Sequence, residues 1–211
     1  MNTSPDQKQF APATQRNREA ILEVLLQVLP ASGTILEIAS GTGEHAVFFA
    51  PSLKPRQWLP SDPNPILRDS IKAWAEEFKS DNLYPPLELD ASQPIWPVEK
   101  EKLPNSPIVA IVNINMIHIS PWSAGLGLMA GAGRILPSGG ILYLYGPYKQ
   151  NGKHTAPSNE AFDESLQAQN PEWGVRNLED VVAAANAQNL TLHKTYQMPA
   201  NNLSLVFRRN S

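Results

Sequence analysis

The sequence predicts an α/β protein: a doubly wound, mostly parallel sheet of seven strands with an antiparallel C-terminal hairpin. Three observations predict it. Short aliphatic runs alternate with stretches of helical spacing from Thr34 to Asn189. The first of these runs leads into a glycine turn, Ser40-Gly41-Thr42-Gly43, followed directly by a helical stretch. The last two alternating runs, Leu190 to Gln197 and Leu203 to Arg208, are close enough in sequence to pair as a hairpin at a sheet edge.

Each element has its own warrant. Ala20, Ile21, Val24, Leu25, Val28 and Leu29 recur at helical spacing, so Thr14 to Leu29 is a helix that Pro30 and Gly33 stop; residues 1–30 cover the sheet. Thr34 to Ala39 is a strand, and Glu44 to Ala50 a helix ended by Pro51. Arg56 to Pro60 gives the second strand, and the Pro63-Asn64-Pro65 turn starts a helix over Ile66 to Phe78. Leu87 to Asp90 is a short third strand. After the proline-rich stretch from Pro94 to Pro107 comes the strongest strand, Ile108 to Ile114, whose unbroken apolar character places it at the sheet centre. Trp122 to Leu136 is a helix, Pro137-Ser138-Gly139-Gly140 a turn, and Ile141 to Tyr145 the fifth strand. A polar loop, Lys149 to Pro157, and two helices, Asn159 to Gln169 and Leu178 to Asn189, complete the plan, with 149–177 as a lid insertion on a single domain of residues 1–211.

Composition narrows the chemistry. With 42% hydrophobic and 18% charged residues the chain can bury a core. A formal net charge of -3 supplies no broad positive field for phosphate backbones, so the expected partner is a small molecule and not nucleic acid. The absence of cysteine excludes disulfides, thiolate nucleophiles and cysteine-held metals. The four histidines, His45, His118, His154 and His193, have no ligand spacing, so no metal is expected. Met1 to Gln9 lacks the basic start and apolar run of a signal peptide, and Ile108 to Ile119 is too short and polar to span a bilayer that needs about 20 apolar residues. A cytoplasmic protein away from membranes is expected; the oligomeric state is not legible.

The chemistry-bearing residues gather at predicted strand ends. In Glu37-Ile38-Ala39-Ser40-Gly41-Thr42-Gly43 an acidic residue sits inside the first strand and two glycines form the turn after it. Gly41 and Gly43 permit positive φ and close backbone approach to a ligand, and the following helix N-terminus favours a carboxylate. An ordinary strand-to-helix turn has the same composition. Asp62 ends the second strand about 20 residues later, the spacing at which a carboxylate receives ribose hydroxyls. Asp90, ending the third strand, has by itself the place of a helix N-cap or turn aspartate. Ligands of open α/β sheets bind at strand ends, so Asn115 and His118 after the central strand face either the reacting groups or the backbone carbonyls beneath their loop, with Met116 a packing or pocket-wall residue.

The segment from Glu37 to Gly43 resembles the nucleotide-binding loop of Rossmann-like S-adenosylmethionine-dependent methyltransferases, acidic-x-Gly-x-Gly-x-Gly, with Ala39 in place of the first glycine. The Arg16-Asn17 helix, this loop, Ser61-Asp62, the stretch from Asn113 to His118 and the segment from Asn170 to Asn177 together resemble the methyltransferase-like 26 family, a domain of unknown function, over nearly the whole chain. That resemblance implies a class I methyltransferase-like Rossmann fold and S-adenosylmethionine as cofactor, the methyl acceptor being unassigned. The cofactor residues it implies are Arg16, Asn17, Glu37, Ala39, Gly41, Gly43, Asp62, Asp90 and Asn115. His118 and Tyr148 become candidates for taking a proton from the acceptor, and Met116, Glu172, Trp173 and Arg176 shape its pocket. Two other classes stay open: a cofactor-binding module without catalysis, and an NAD-dependent oxidoreductase sharing the first βα unit. The C-terminal order of helix, strand, turn and strand favours the methyltransferase over the oxidoreductase.

Overall fold

The computed structural model describes residues 7–100 and 106–211, so residues 1–6 of the covering segment and 101–105 of the proline-rich stretch lie outside it. Two compact units are present, one comprising residues up to Asp90 with Ile95–Val112, the other Ala91–Pro94 with Asn113–Ser211. The fold is α/β, with a mostly parallel sheet in the strand order β2-β1-β3-β4-β8-β7 and antiparallel strands at its C-terminal end.

The first unit opens with α1 (Pro12–Val28), which buries Ile21, Val24 and Leu25 of the periodic face read from the sequence, and Asn17 beside them. β1 (Thr34–Ile38) is buried at every position, and the glycine turn carries it into α2 (Glu44–Ser52). β2 (Gln57–Ser61) pairs with β1 in parallel, in the register Glu37 to Pro60 and Ile38 to Ser61. α3 (Pro65–Glu77) is capped by the Asn64 side chain, which accepts from Ile66 N–H at 2.9 Å. A short turn of helix, α4 (Pro97–Lys100), precedes β3 (Ile108–Ile114).

In the second unit a 3₁₀ turn, Met116–His118, follows β3 and leads to α5 (Trp122–Ile135) and β4 (Ile141–Gly146), which is buried throughout. A two-stranded ribbon, β5 (Lys149–Gln150) and β6 (Lys153–His154), precedes α6 (Pro157–Gln169) and α7 (Leu178–Asn186). β7 (Leu190–Met198) and β8 (Asn202–Arg209) form the predicted hairpin, and β8 pairs with β4.

Two expectations need correction. The sheet has six strands, not seven, because Leu87 to Asp90 makes only an isolated parallel bridge, Ser61 to Leu87. Pro85 and Pro86 precede it, and without N–H groups they cannot extend the ladder that Leu83 begins opposite Trp58. The predicted polar loop from Lys149 is the β5–β6 ribbon, turned by Asn151 and Gly152 at φ 50° and 73°. An Asn-Gly pair with both φ angles positive is a favoured hairpin turn.

Candidate functional site

In the first unit the turn after β1 is left-handed at three positions: Ala39 (φ 55°), Gly41 (φ 57°) and Gly43 (φ 92°). A Cβ on Gly43 would meet Ile71 Cα of α3 at 2.7 Å, so glycine is required there both by φ and by packing. A Cβ on Gly41 would meet no heavy atom of the described residues within 4 Å, so among them this edge of the turn is an open cradle. The turn's own donors are largely engaged. Ser40 N–H donates to Ser61 O at 2.8 Å, Gly43 N–H to Ser40 O at 3.2 Å and Gly41 N–H to Asp62 Oδ2 at 3.0 Å.

Three buried carboxyls surround the turn. Asp62 also accepts Asn64 N–H on Oδ1 at 2.9 Å, and burial holds its pKa above the ordinary value. Glu37 accepts Trp58 Nε1–H at 3.0 Å; burial pushes its pKa up to about 7, against the hydrogen bonds from Trp58 and Ser40. Glu44, at the first position of α2, accepts Ala11 N–H at 2.6 Å and Thr42 Oγ–H at 2.9 Å. Among the described residues none of the three is salt-bridged; Arg68 donates to the main-chain oxygen of Asp62 and pairs with Glu88.

The remaining predicted residues of this unit are less concentrated. Asn17 is buried, its Oδ1 lying 2.9 Å from His45 Nε2, and burial holds the His45 pKa down at about 3. Arg16 is exposed. Asp90 is half-buried beyond the Leu87 bridge. Ser70, which the sequence did not single out, donates to Thr42 O at 2.7 Å and accepts Gln9 N–H at 2.8 Å, tying the chain before α1 to the glycine turn.

In the second unit Asn115 adopts φ 64° and donates its N–H to Tyr145 O at 2.8 Å. Met116 is buried beneath Ser120, whose hydroxyl donates to Met116 O at 2.7 Å. His118 and Tyr148 are fully buried with ring centroids 5.0 Å apart, edge to face. Gly146 lies so close that an added Cβ would stand 2.5 Å from His118 Nε2 and 3.1 Å from Asn115 Oδ1. Burial brings the His118 pKa down to about 3 and raises that of Tyr148, so both are neutral near pH 7. Among the described residues neither His118 Nε2 nor Tyr148 OH has a hydrogen-bond partner.

Arg176 spends its guanidinium on main-chain oxygens: Ile117 O at 2.9 Å, Ser120 O at 2.7 Å and Glu172 O at 2.8 Å. Its charge also stands 5.6 Å from the Trp122 ring. Glu172 is exposed and Trp173 half-buried. Asp163, absent from the sequence-based candidates, is the hub of the insertion: it accepts Val175 N–H and Gln167 Nε2–H, pairs with Lys149, and lies 3.2 Å from His154 Nε2. Among the described residues no group of three or more His, Cys, Asp or Glu is placed to hold a metal, and no helix is long and apolar enough to cross a membrane.

The family model described as "Protein of unknown function (DUF938)" matches residues 8–209. This chain belongs to that family. Solved structures with the DUF938 chain's fold include methyltransferases. An O-methyltransferase family protein from Burkholderia thailandensis superposes with a TM-score of 0.76 at 11% identity, covering 94% of this chain and 57% of its own. The mitomycin 7-O-methyltransferase MmcR gives 0.75 at 11%, over 93% and 54%. CalO1, a methyltransferase in calicheamicin biosynthesis in its SAH-bound form, gives 0.66 at 14%, over 90% and 53%. The DUF938 chain thus spans little more than half the length of these proteins, and what it shares with them is the fold.

Proposed function

We propose that the protein is an S-adenosylmethionine-dependent methyltransferase of the methyltransferase-like 26 kind, acting on a small-molecule acceptor by direct displacement. The observation that carries this reading is the anionic setting of the glycine turn. A dinucleotide presents a pyrophosphate, which binds free main-chain N–H groups at a helix N-terminus. Here Ser40, Gly41 and Gly43 N–H already donate within the protein, and Glu44 occupies the start of α2. Glu37, Glu44 and Asp62 instead favour a ligand with positive charge and hydroxyl donors. S-adenosylmethionine has a sulfonium, an ammonium and a ribose diol, so the residues present fit it.

In this reading the open side of Gly41 admits the ligand backbone-close, and Asp62 receives ribose hydroxyls on lone pairs left by its two N–H bonds. When bound, the cofactor would supply a sulfonium-borne methyl group, whose carbon the acceptor's lone pair would take as the carbon–sulfur bonding pair leaves on sulfur. The protein's part is alignment and exclusion of water. Met116, His118 and Tyr148 are assigned to the acceptor, His118 and Tyr148 as neutral hydrogen-bonding groups, and Asn115 to the cofactor. Titration calorimetry with S-adenosylmethionine and, in parallel, NAD tests the reading. Saturable binding of the first alone is expected; binding of NAD alone, or of neither, overturns it.

A further inference from the structure

The turn between β2 and α3, Pro63-Asn64-Pro65, contains two residues without N–H groups. Its one main-chain donor, Asn64 N–H, points to Asp62 Oδ1 at 2.9 Å, and the next along the chain, Ile66 N–H, points to Asn64 Oδ1 at 2.9 Å. Neither serves the carbonyls of Asp62 and Pro63. Arg68 serves them from the start of α3: its Nη1 donates to Asp62 O at 2.9 Å and to Pro63 O at 2.8 Å, while Nη2 donates to Glu88 Oε2 at 3.0 Å. The Arg68 side chain is 15% exposed but that of Glu88 77%, so this ion pair is screened by solvent and contributes little. The charge-assisted bonds to the two carbonyls carry more.

Asp62 is tied at each of its polar groups. Its N–H donates to Leu87 O at 3.0 Å, its carbonyl accepts from Arg68, and its carboxylate accepts Gly41 N–H on Oδ2 at 3.0 Å and Asn64 N–H on Oδ1 at 2.9 Å. Each carboxylate oxygen keeps a further lone pair. The bond to Asn64 spans only two residues, so its geometry depends on the course of the chain through Pro63, the stretch whose carbonyls Arg68 bridges. The Arg68 charge also opposes the effect of burial on the Asp62 carboxyl.

We infer that Arg68 is a positioning residue: by bridging the carbonyls of Asp62 and Pro63 it fixes the turn that keeps Asn64 N–H and Gly41 N–H on the Asp62 carboxylate, and so sets the direction of the lone pairs left for a ligand's diol. That this ligand is S-adenosylmethionine rests on the function proposed above. The hold on Asp62 does not rest on it, and is read without ligand.

The experiment has two arms, both on the full-length chain. The first is amide hydrogen exchange without ligand. Arg68→Met keeps an apolar stem and removes the donors, so Gly41 and Asn64 N–H are expected to exchange about tenfold faster, while Ser40 N–H, bonded to Ser61 O in the same unit, keeps its wild-type rate. Arg68→Lys keeps a cation for the carbonyls and is expected to restore most of the protection; Glu88→Gln keeps an acceptor for Nη2 and is expected to change nothing. Uniform acceleration across the unit, as a merely structural Arg68 would give, overturns the inference. Unchanged rates at Gly41 and Asn64, or the same acceleration in Glu88→Gln, overturn it equally. Should Arg68→Met not fold, Arg68→Gln, with a neutral donor on a shorter stem, replaces it with the same expectation. The second arm is calorimetric titration with S-adenosylmethionine. Arg68→Met is expected to weaken binding about tenfold in the wild-type background and less than about twofold in Asp62→Asn, because a residue acting through Asp62 has nothing to position once that carboxylate is gone. Equal losses in the two backgrounds overturn the inference. If exchange responds as stated and S-adenosylmethionine does not bind, the function fails and the positioning of Asp62 stands.

Discussion

At Ala39 a Cβ is held in left-handed backbone, φ 55°, at the position where the motif it resembles carries glycine. That conformation costs an L residue about 1–2 kcal/mol, and glycine's greater freedom in the unfolded chain returns part of the difference. Ala39→Gly is therefore expected to stabilise the protein by up to about 1 kcal/mol, raising the thermal midpoint by a few degrees; an unchanged or lower midpoint would show that the turn tolerates alanine without strain. Gly43→Ala should act in the opposite sense. It adds a Cβ at φ 92° and 2.7 Å from Ile71 Cα, backbone that cannot swing aside, so a loss of about 2 kcal/mol or more is expected in urea unfolding. The two substitutions are four residues apart and separate the conformational from the packing requirement for glycine.

Between elements, Ser70 of α3 joins the chain before α1 to the glycine turn, accepting Gln9 N–H and donating to Thr42 O. Ser70→Ala removes both bonds from a fully buried site, so a loss of about 1–3 kcal/mol is expected, with faster proteolysis before Pro12. Cleavage there at the wild-type rate would show that Glu44 on Ala11 N–H and the Phe10–Trp74 contact suffice. Linkages of this kind explain what was legible in the sequence. α1 and α3 declare themselves by local periodicity, β3 by an unbroken apolar run, and the glycine turn with Asp62 by spacing. The Leu87 segment has the composition of a strand, but Pro85 and Pro86 deny it a ladder; β5 and β6 are too short to show a period, and their Asn151-Gly152 turn was read as part of a polar loop. Asp163 was illegible because its partners come from separate elements; Arg176 was named for the pocket, but its hold on main-chain carbonyls leaves no mark in a sequence. The carboxyls at the turn were half legible: Glu37 and Asp62 fall at motif positions, whereas Glu44 looks like any acidic helix start.

For the molecule as a whole the formal charge of -3 matters less to its pH response than a few buried groups. His45 and His118, with pKa values brought down to about 3, stay neutral when folded but gain protons when unfolded below about 6.5, so they favour unfolding as the pH falls from 6.5 toward 3. Glu37 works in the reverse direction. Its folded pKa of about 7 lies above the ordinary 4.5, so between these values the folded state holds the extra proton and stability falls as pH rises, the full penalty being present above 7. At about 1.4 kcal/mol per pH unit the ceiling is about 3 kcal/mol. Glu37→Gln keeps an oxygen for Trp58 Nε1–H and removes the titration. Its stability relative to wild type, from urea unfolding at intervals between pH 4.5 and 8, is expected to climb through that range and level off above 7. A cationic ligand beside Glu37 would draw the group back toward ionisation, so S-adenosylmethionine binding near pH 7 should release a fraction of a proton, seen as a dependence of the calorimetric enthalpy on the buffer's ionisation enthalpy, and Glu37→Gln should abolish it. A difference that stays flat with pH, together with proton release unaltered by the substitution, would mean that Glu37 ionises as freely folded as unfolded, and would remove one of the three charges on which the cofactor reading stands.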